Sequence, residues 1–316
     1  MESAVIREYG DFVRLVFQRT RQIVERRAEP SLRADVTRHL ATMESSKGMR
    51  PALVACAARL THVGERSDYD STLNVLDQAV AVQLVHEATL VVDDIIDDSS
   101  VRRHAPALHT AVGAVVAGAA AAEMNTIASE LLDVVTEWRE LLRRTGREIA
   151  VAEATQERDR GHSLPYPLPR WERVALGDTG ALLFLAAGVG GIAKPHEIEW
   201  LRALAILRHG LDDVDDLVVP GGDQADVRMK VGTLPACFAA GWSKESLVAA
   251  IPRSLSYLQA WLAVPHPTEA EPFFEDFRST WAELSSRVGI EAPSSQPSAP
   301  RDSAGLDARD RRSSGL

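Results

Sequence analysis

The chain has 316 residues, 45% of them hydrophobic, and its 35 Lys and Arg against 45 Asp and Glu give a formal net charge of −10. That length and apolar content suffice for one large domain or two ordinary ones with a buried core; an acidic balance without a basic stripe speaks against nucleic acid and suits a binder of metal cations. The two cysteines, Cys56 and Cys237, are far apart and lack metal-ligand spacing, which argues against a disulfide framework or a zinc site and fits a reducing cytoplasm.

The first residues, MESAVIREYGDFVRL, are charged and amphipathic, with no apolar core ahead of a small-residue cleavage site, so no secretory signal is read there. Apolar residues then recur at spacings of three and four over 5–28, 73–96, 128–144 and 197–217, which predicts helices, while nothing long alternates with period two. Helix-stop signals fall at Pro30, Gly64, Gly146, the PYPLP run at 165–169 and Pro220-Gly221-Gly222. Around 82–96 and 181–192 the pattern is apolar on most of the circumference, as expected of central helices wrapped by others. The fold class read from this is all-α. No stretch is long and apolar enough to span a membrane. A single domain is expected over 1–290, and 291–316, rich in Ser, Pro, Arg and Asp, reads as a disordered tail.

Two acidic clusters stand inside strongly apolar helices. In VVDDIIDDSS, Asp93 and Asp97 lie one turn apart, as do Asp94 and Asp98, so carboxylates line one side of a helix end. In HGLDDVDDL the same pattern recurs with Asp212, Asp213 and Asp216. Like charges at such spacing raise one another's pKa unless a cation neutralises them, and all-oxygen ligands select hard ions such as Mg²⁺, which keeps part of its shell for phosphate. A run of acids alone reads as a solvated helix end. Two copies on apolar helices point instead to a metal-diphosphate site whose ligands are Asp93, Asp94, Asp97, Asp212, Asp213 and Asp216.

The chain resembles the trans-isoprenyl diphosphate synthases, the polyprenyl synthetase family, over roughly 35–240. SSKGMRP keeps Lys47, Arg50 and Pro51 of the family's Gly-Lys-Arg-x-Arg-Pro segment but places Gly48 where the middle Arg would stand. His86 stands two turns before Asp93, SVRRHAPALH matches an Arg-Arg-Gly-x-Pro segment with Arg102 and Arg103, Gln156 and Asp159 match a Gln-x-x-Asp, and TLPA at 233–236 matches a Thr-Leu-Pro marker. The resemblance implies an isoprenoid synthase-type bundle of antiparallel helices around a central cavity and a cytoplasmic homodimer. It also implies a Mg²⁺-dependent prenyltransferase condensing isopentenyl diphosphate with an allylic prenyl diphosphate, bound by Lys47, Arg50, His86, Arg102, Arg103, Gln156, Thr179, His209 and Lys230. Ionisation of the allylic C–O bond, assisted by three Mg²⁺, would give a carbocation that the isopentenyl double bond attacks.

The allylic side departs from that pattern. Asp178-Thr179 stands where the family has Lys-Thr, Arg208-His209 where it has Phe-Gln, and the lysine before the Thr-Leu-Pro marker is displaced to Lys230, with Arg228 nearby. The chain uses 4 lysines against 31 arginines, a bias that explains Lys to Arg but not Lys to Asp. Three readings follow: an elongating enzyme in which Arg208, Arg228 and Lys230 replace the lost lysines; a terpene synthase-like enzyme that cyclises an allylic diphosphate; or a weakly active regulatory subunit of a prenyl diphosphate synthase. The small Ala88 and Thr89, one turn before the first cluster, imply by resemblance a geranylgeranyl or longer product.

Overall fold

The computed structural model describes residues 3–61, 69–133, 135–218 and 229–289. The expected tail at 291–316, Arg228, Gly64 and Pro220-Gly221-Gly222 lie outside the described residues. Twelve α-helices carry the described chain: α1 Ala4–Arg27, α2 Arg33–Leu40, α3 Met49–Thr61, α4 Tyr69–Ile96, α5 Leu108–Val112, α6 Ala114–Leu132, α7 Thr136–Arg158, α8 Leu168–Gly177, α9 Thr179–Val189, α10 Glu199–Val218, α11 Lys244–Leu262 and α12 Glu271–Arg287. The sole sheet among the described residues is a hairpin of two-residue strands, β1 Val101–Arg102 and β2 Ala105–Pro106, in antiparallel register.

The two helices read as apolar all round are central. α4 packs against α1, α3, α6 and α9, and α9 also packs against α10, so α9 links the helices that carry the two acidic clusters. Nine of the eleven residues of α9 are buried, as the absence of a polar stripe requires. Amphipathic α1 turns Val5, Tyr9, Val13, Val16 and Phe17 inward at the three-four spacing. No helix among the described residues is long and apolar enough to cross a membrane.

Two boundaries differ from expectation. The periodic stretch 128–144 is not one helix: α6 ends at Leu132 and α7 begins at Thr136, because Val135 takes an extended backbone, φ −128° and ψ 123°. Gly146 does not stop a helix; it sits inside α7, facing open space. The proline-rich run does separate α7 from α8, with Pro169 in the first turn of α8, where its missing N–H costs nothing.

Candidate active site

α3, α4, the hairpin, α9, α10 and α12 enclose one cavity of about 490 Å³. Four carboxylates line it, and two of them belong to the acidic clusters. Asp93, on the last turn of α4, and Asp212, near the end of α10, both line it. Asp94 does not. It is 1% exposed and lies behind the wall, where its Oδ1 accepts Arg102 Nε at 2.9 Å. Asp97 falls just past the end of α4, its N–H donating to the Asp93 carbonyl at 2.9 Å, and its Oδ1 is 3.7 Å from Arg160 Nη2. On α10, Asp213 Oδ2 accepts Trp171 Nε1 at 2.8 Å and the Leu234 N–H at 2.7 Å, so one of its oxygens ties α8 and the Thr-Leu-Pro segment to the acidic cluster. Asp216 is exposed.

A cationic wall completes the lining of the same cavity. Lys47 comes from the segment just before α3, Arg50 from the first turn of α3, His86 from α4, and Arg102 and Arg103 from the hairpin. Arg50 Nη1 lies 3.0 Å from His86 Nε2. Arg103 donates to Glu87, which is fully buried on α4. Three buried atoms with no hydrogen-bond partner, Ser46 Oγ, Arg50 Nε and His86 Nδ1, belong to residues of this wall. Unsatisfied buried polar groups are rare in proteins, and these three stand beside guanidinium groups suited to phosphate oxygens.

Gly48 has a steric explanation. Its φ is +60°, and an added Cβ would stand 2.3 Å from Val13 Cγ1, so α1 passes too close for the arginine that the resemblance would put there. The tight turn lets α3 start with Lys47 and Arg50 both on the cavity wall.

The field in the cavity is set by burial and by Asp178, whose side chain joins the wall. Burial first, then the charges of Asp178 and Glu153, push the Asp93 carboxyl up to about 8. Burial, then Asp178 and Asp97, raise Glu153 to about 7. Burial and the neighbouring Arg50 hold His86 well below the usual imidazole range. Arg208 Nη2 sits 3.0 Å from Asp212 Oδ2.

Among the described residues no three Asp, Glu, His or Cys side chains converge closely enough to hold a metal by themselves. Magnesium, however, is commonly bound through one or two carboxylates plus substrate phosphates. Asp93 and Asp212, the two cluster carboxylates on the cavity wall, are a donor set that fits this mode.

Eight of the expected residues thus meet at one cavity: Lys47, Arg50, His86, Asp93, Arg102, Arg103, Thr179 and Asp212. His209 stands behind Thr179, its Nδ1 3.0 Å from Thr179 Oγ1 and its ring 5.7 Å from that of Trp171. Gln156 and Lys230 do not line the cavity. Gln156 is half-buried near the end of α7, and Lys230 is exposed in a left-handed turn (φ 55°) whose carbonyl accepts the Gly161 N–H at 3.1 Å. Asp159 is a structural anchor that accepts Tyr166 Oη at 2.7 Å. Sequence reasoning missed Glu87, Glu153 and the α12 wall of Phe273, Asp276, Phe277 and Thr280. An acid beside His86 in an apolar helix was a legible signal for Glu87, since a buried charge demands a partner. α12 offered none beyond amphipathic periodicity.

The family model for polyprenyl synthetase matches residues 33–209. A (2E,6E)-farnesyl diphosphate synthase of Mycobacterium tuberculosis is 31% identical over 197 residues, covering 56% of this chain and 51% of that protein. The chain thus spans about half the length of that curated relative. In three dimensions it resembles a decaprenyl diphosphate synthase from Rhodobacter capsulatus, with a TM-score of 0.69 and 21% identity over 89% of this chain and 98% of the other. It also resembles a polyprenyl synthase from Caulobacter crescentus complexed with calcium and isoprenyl diphosphate, with a TM-score of 0.66 and 20% identity over 92% and 100%. With more than half of its length matched by the family model and this fold, the chain belongs to the polyprenyl synthetase family.

Proposed function

We propose that this protein is a divalent-metal-dependent prenyltransferase, with Mg²⁺ as its metal, that joins isopentenyl diphosphate to an allylic prenyl diphosphate to give a longer trans-polyprenyl diphosphate. The observation that carries this reading is the sharing of one cavity by Asp93 and Asp212 with Lys47, Arg50, His86 and Arg103. A site of that composition takes two diphosphates, one through metal and one through cations. Calcium and isoprenyl diphosphate in the Caulobacter crescentus relative support the same ligand classes.

Lys47, Arg50, His86 and Arg103 would hold the isopentenyl diphosphate, and Asp93 and Asp212 would hold the metal that meets the allylic one. When bound, the metal neutralises charge building on the diphosphate leaving group. Arg208 replaces the cation lost at Asp178: its guanidinium is on the wall and tethered to Asp212, so metal bound by Asp212 would free the fork for phosphate oxygens. Leu182, Leu211 and Phe277 keep water from the reacting carbons. Of the two small residues before Asp93, Thr89 lines the cavity and Ala88 is buried in the core, so the reading of a geranylgeranyl or longer product rests on Thr89. A cytoplasmic homodimer is part of the same proposal.

Asp178 favours a second reading, cyclisation of one allylic diphosphate, because it removes a cation from the allylic side. Incubation with Mg²⁺, labelled isopentenyl diphosphate and each allylic diphosphate in turn separates the two. Chain-extended diphosphates are expected. A hydrocarbon formed from an allylic substrate alone would establish cyclisation, and no turnover but stimulation of an added synthase would establish a regulatory subunit.

A further inference from the structure

Glu87 is the least expected residue around the cavity. It is fully buried on α4, and both carboxylate oxygens are engaged. Oε1 accepts Gln83 Nε2 at 2.7 Å and Arg103 Nη2 at 3.0 Å; Oε2 accepts Arg103 Nη1 at 3.1 Å. His39 Nε2, from α2, lies 2.9 Å from Oε2. One carboxylate therefore ties α2, α4 and the β1–β2 hairpin together.

The hairpin needs such a tether. With Val101 opposite Pro106 and Arg102 opposite Ala105, its turn consists of Arg103 and His104, and both take left-handed backbone, φ 51° and 65°. A two-residue turn of this hand prefers Asn-Gly or Gly-Gly, so the local sequence resists the conformation that aims Arg103 at the cavity. The guanidinium has five N–H donors in a rigid fork. Two meet Glu87 and a third reaches Thr42 Oγ1 at 3.4 Å, which leaves two for a ligand.

We infer that Glu87 is the positioning residue for diphosphate capture: it does not touch the ligand but fixes the Arg103 fork on the cavity wall against a strained turn. The inference rests on the proposed role of Arg103 as a diphosphate ligand. Gln83 shares the face of α4 with Glu87, one turn earlier, and lines the cavity, so it marks a second place from which a carboxylate can hold the same fork.

The test is binding of inorganic pyrophosphate by calorimetry without magnesium, where the cationic wall alone offers charge, and it needs no turnover. Wild type, E87Q, R103Q and E87Q/R103Q form a double-mutant cycle. R103Q and E87Q are each expected to weaken binding about tenfold, the loss of a well-made charged contact. The double variant should bind no more weakly than R103Q. Transfer of the carboxylate in Q83E/E87Q should recover binding to within about threefold of wild type. A merely structural Glu87 would weaken binding equally in both Arg103 backgrounds, and that additivity would overturn the inference, as would E87Q binding like wild type beside a weakened R103Q. R103Q binding like wild type would remove the role of Arg103 itself. Should E87Q fail to fold, Q83E/E87Q in the two Arg103 backgrounds decides the matter: unrecovered binding overturns the inference.

Discussion

Raising the pH of the metal-free protein from 6 to 8 should destabilise it, with Asp93 as one of the causes. Its carboxyl titrates at about 8 in the folded chain but near 3.9 when unfolded. Between these values the folded state holds a proton that the unfolded chain has lost. The stability from that proton is therefore full at low pH and falls as pH rises through 8. At about 1.4 kcal/mol per pH unit, the drop from pH 6 to 8 is roughly 2 kcal/mol. Glu153, titrating near 7, adds in the same direction. Asn at 93 keeps the volume without the charge, so D93N should be more stable than wild type at pH 8 in EDTA and show a shallower pH dependence. Urea unfolding at pH 6, 7 and 8, with EDTA or with Mg²⁺, measures this. Magnesium should restore wild type at pH 8, by mass action on the folded state, and do little for D93N. Equal slopes for the two proteins, or stability of metal-free wild type that rises toward pH 8, would rule out a proton held by folded Asp93.

Other outcomes follow from single contacts. G48A should cost about 2–3 kcal/mol by urea unfolding, since it adds a methyl against Val13 at a left-handed position; V13A should relieve the steric part. H104G should stabilise the chain by roughly 1 kcal/mol by relieving one left-handed residue of the hairpin turn. W171F, which removes the indole donor to Asp213, should cost about 1–3 kcal/mol. R208Q should raise the KM for the allylic substrate about tenfold while leaving that for isopentenyl diphosphate near wild type, as steady-state kinetics with each substrate varied will show.

Much of this was legible because helical periodicity and repeated Asp spacing are local signals. The apolar circumference of 181–192 marked α9 as central, and the two acidic clusters marked the ends of α4 and α10. What the pattern could not supply was which oxygen faces where. Six aspartates look alike in sequence, yet Asp93 and Asp212 reach the cavity, Asp94 is held by Arg102, and Asp213 lends one oxygen to Trp171 and Leu234. Those differences come from partners 8 to 42 positions away, beyond any local period. The split at Val135 and the continuity of α7 through the exposed Gly146 depart from the local pattern, a glycine inside a helix costing only about 1 kcal/mol. The α12 wall is some 180 residues from Asp93 in sequence, a juxtaposition that a helical pattern does not encode.

In the proposed function Asp93 and Asp212 hold metal for a diphosphate in the cavity shared with the cationic wall. Incorporation of labelled isopentenyl diphosphate into acid-labile prenyl product, followed against Mg²⁺ concentration in wild type, D93N and D212N, tests it most directly. Wild type should show saturable Mg²⁺-dependent elongation, and each variant a rate at least about a hundredfold lower. Elongation by D93N and D212N at the wild-type rate and with the same Mg²⁺ dependence would contradict it.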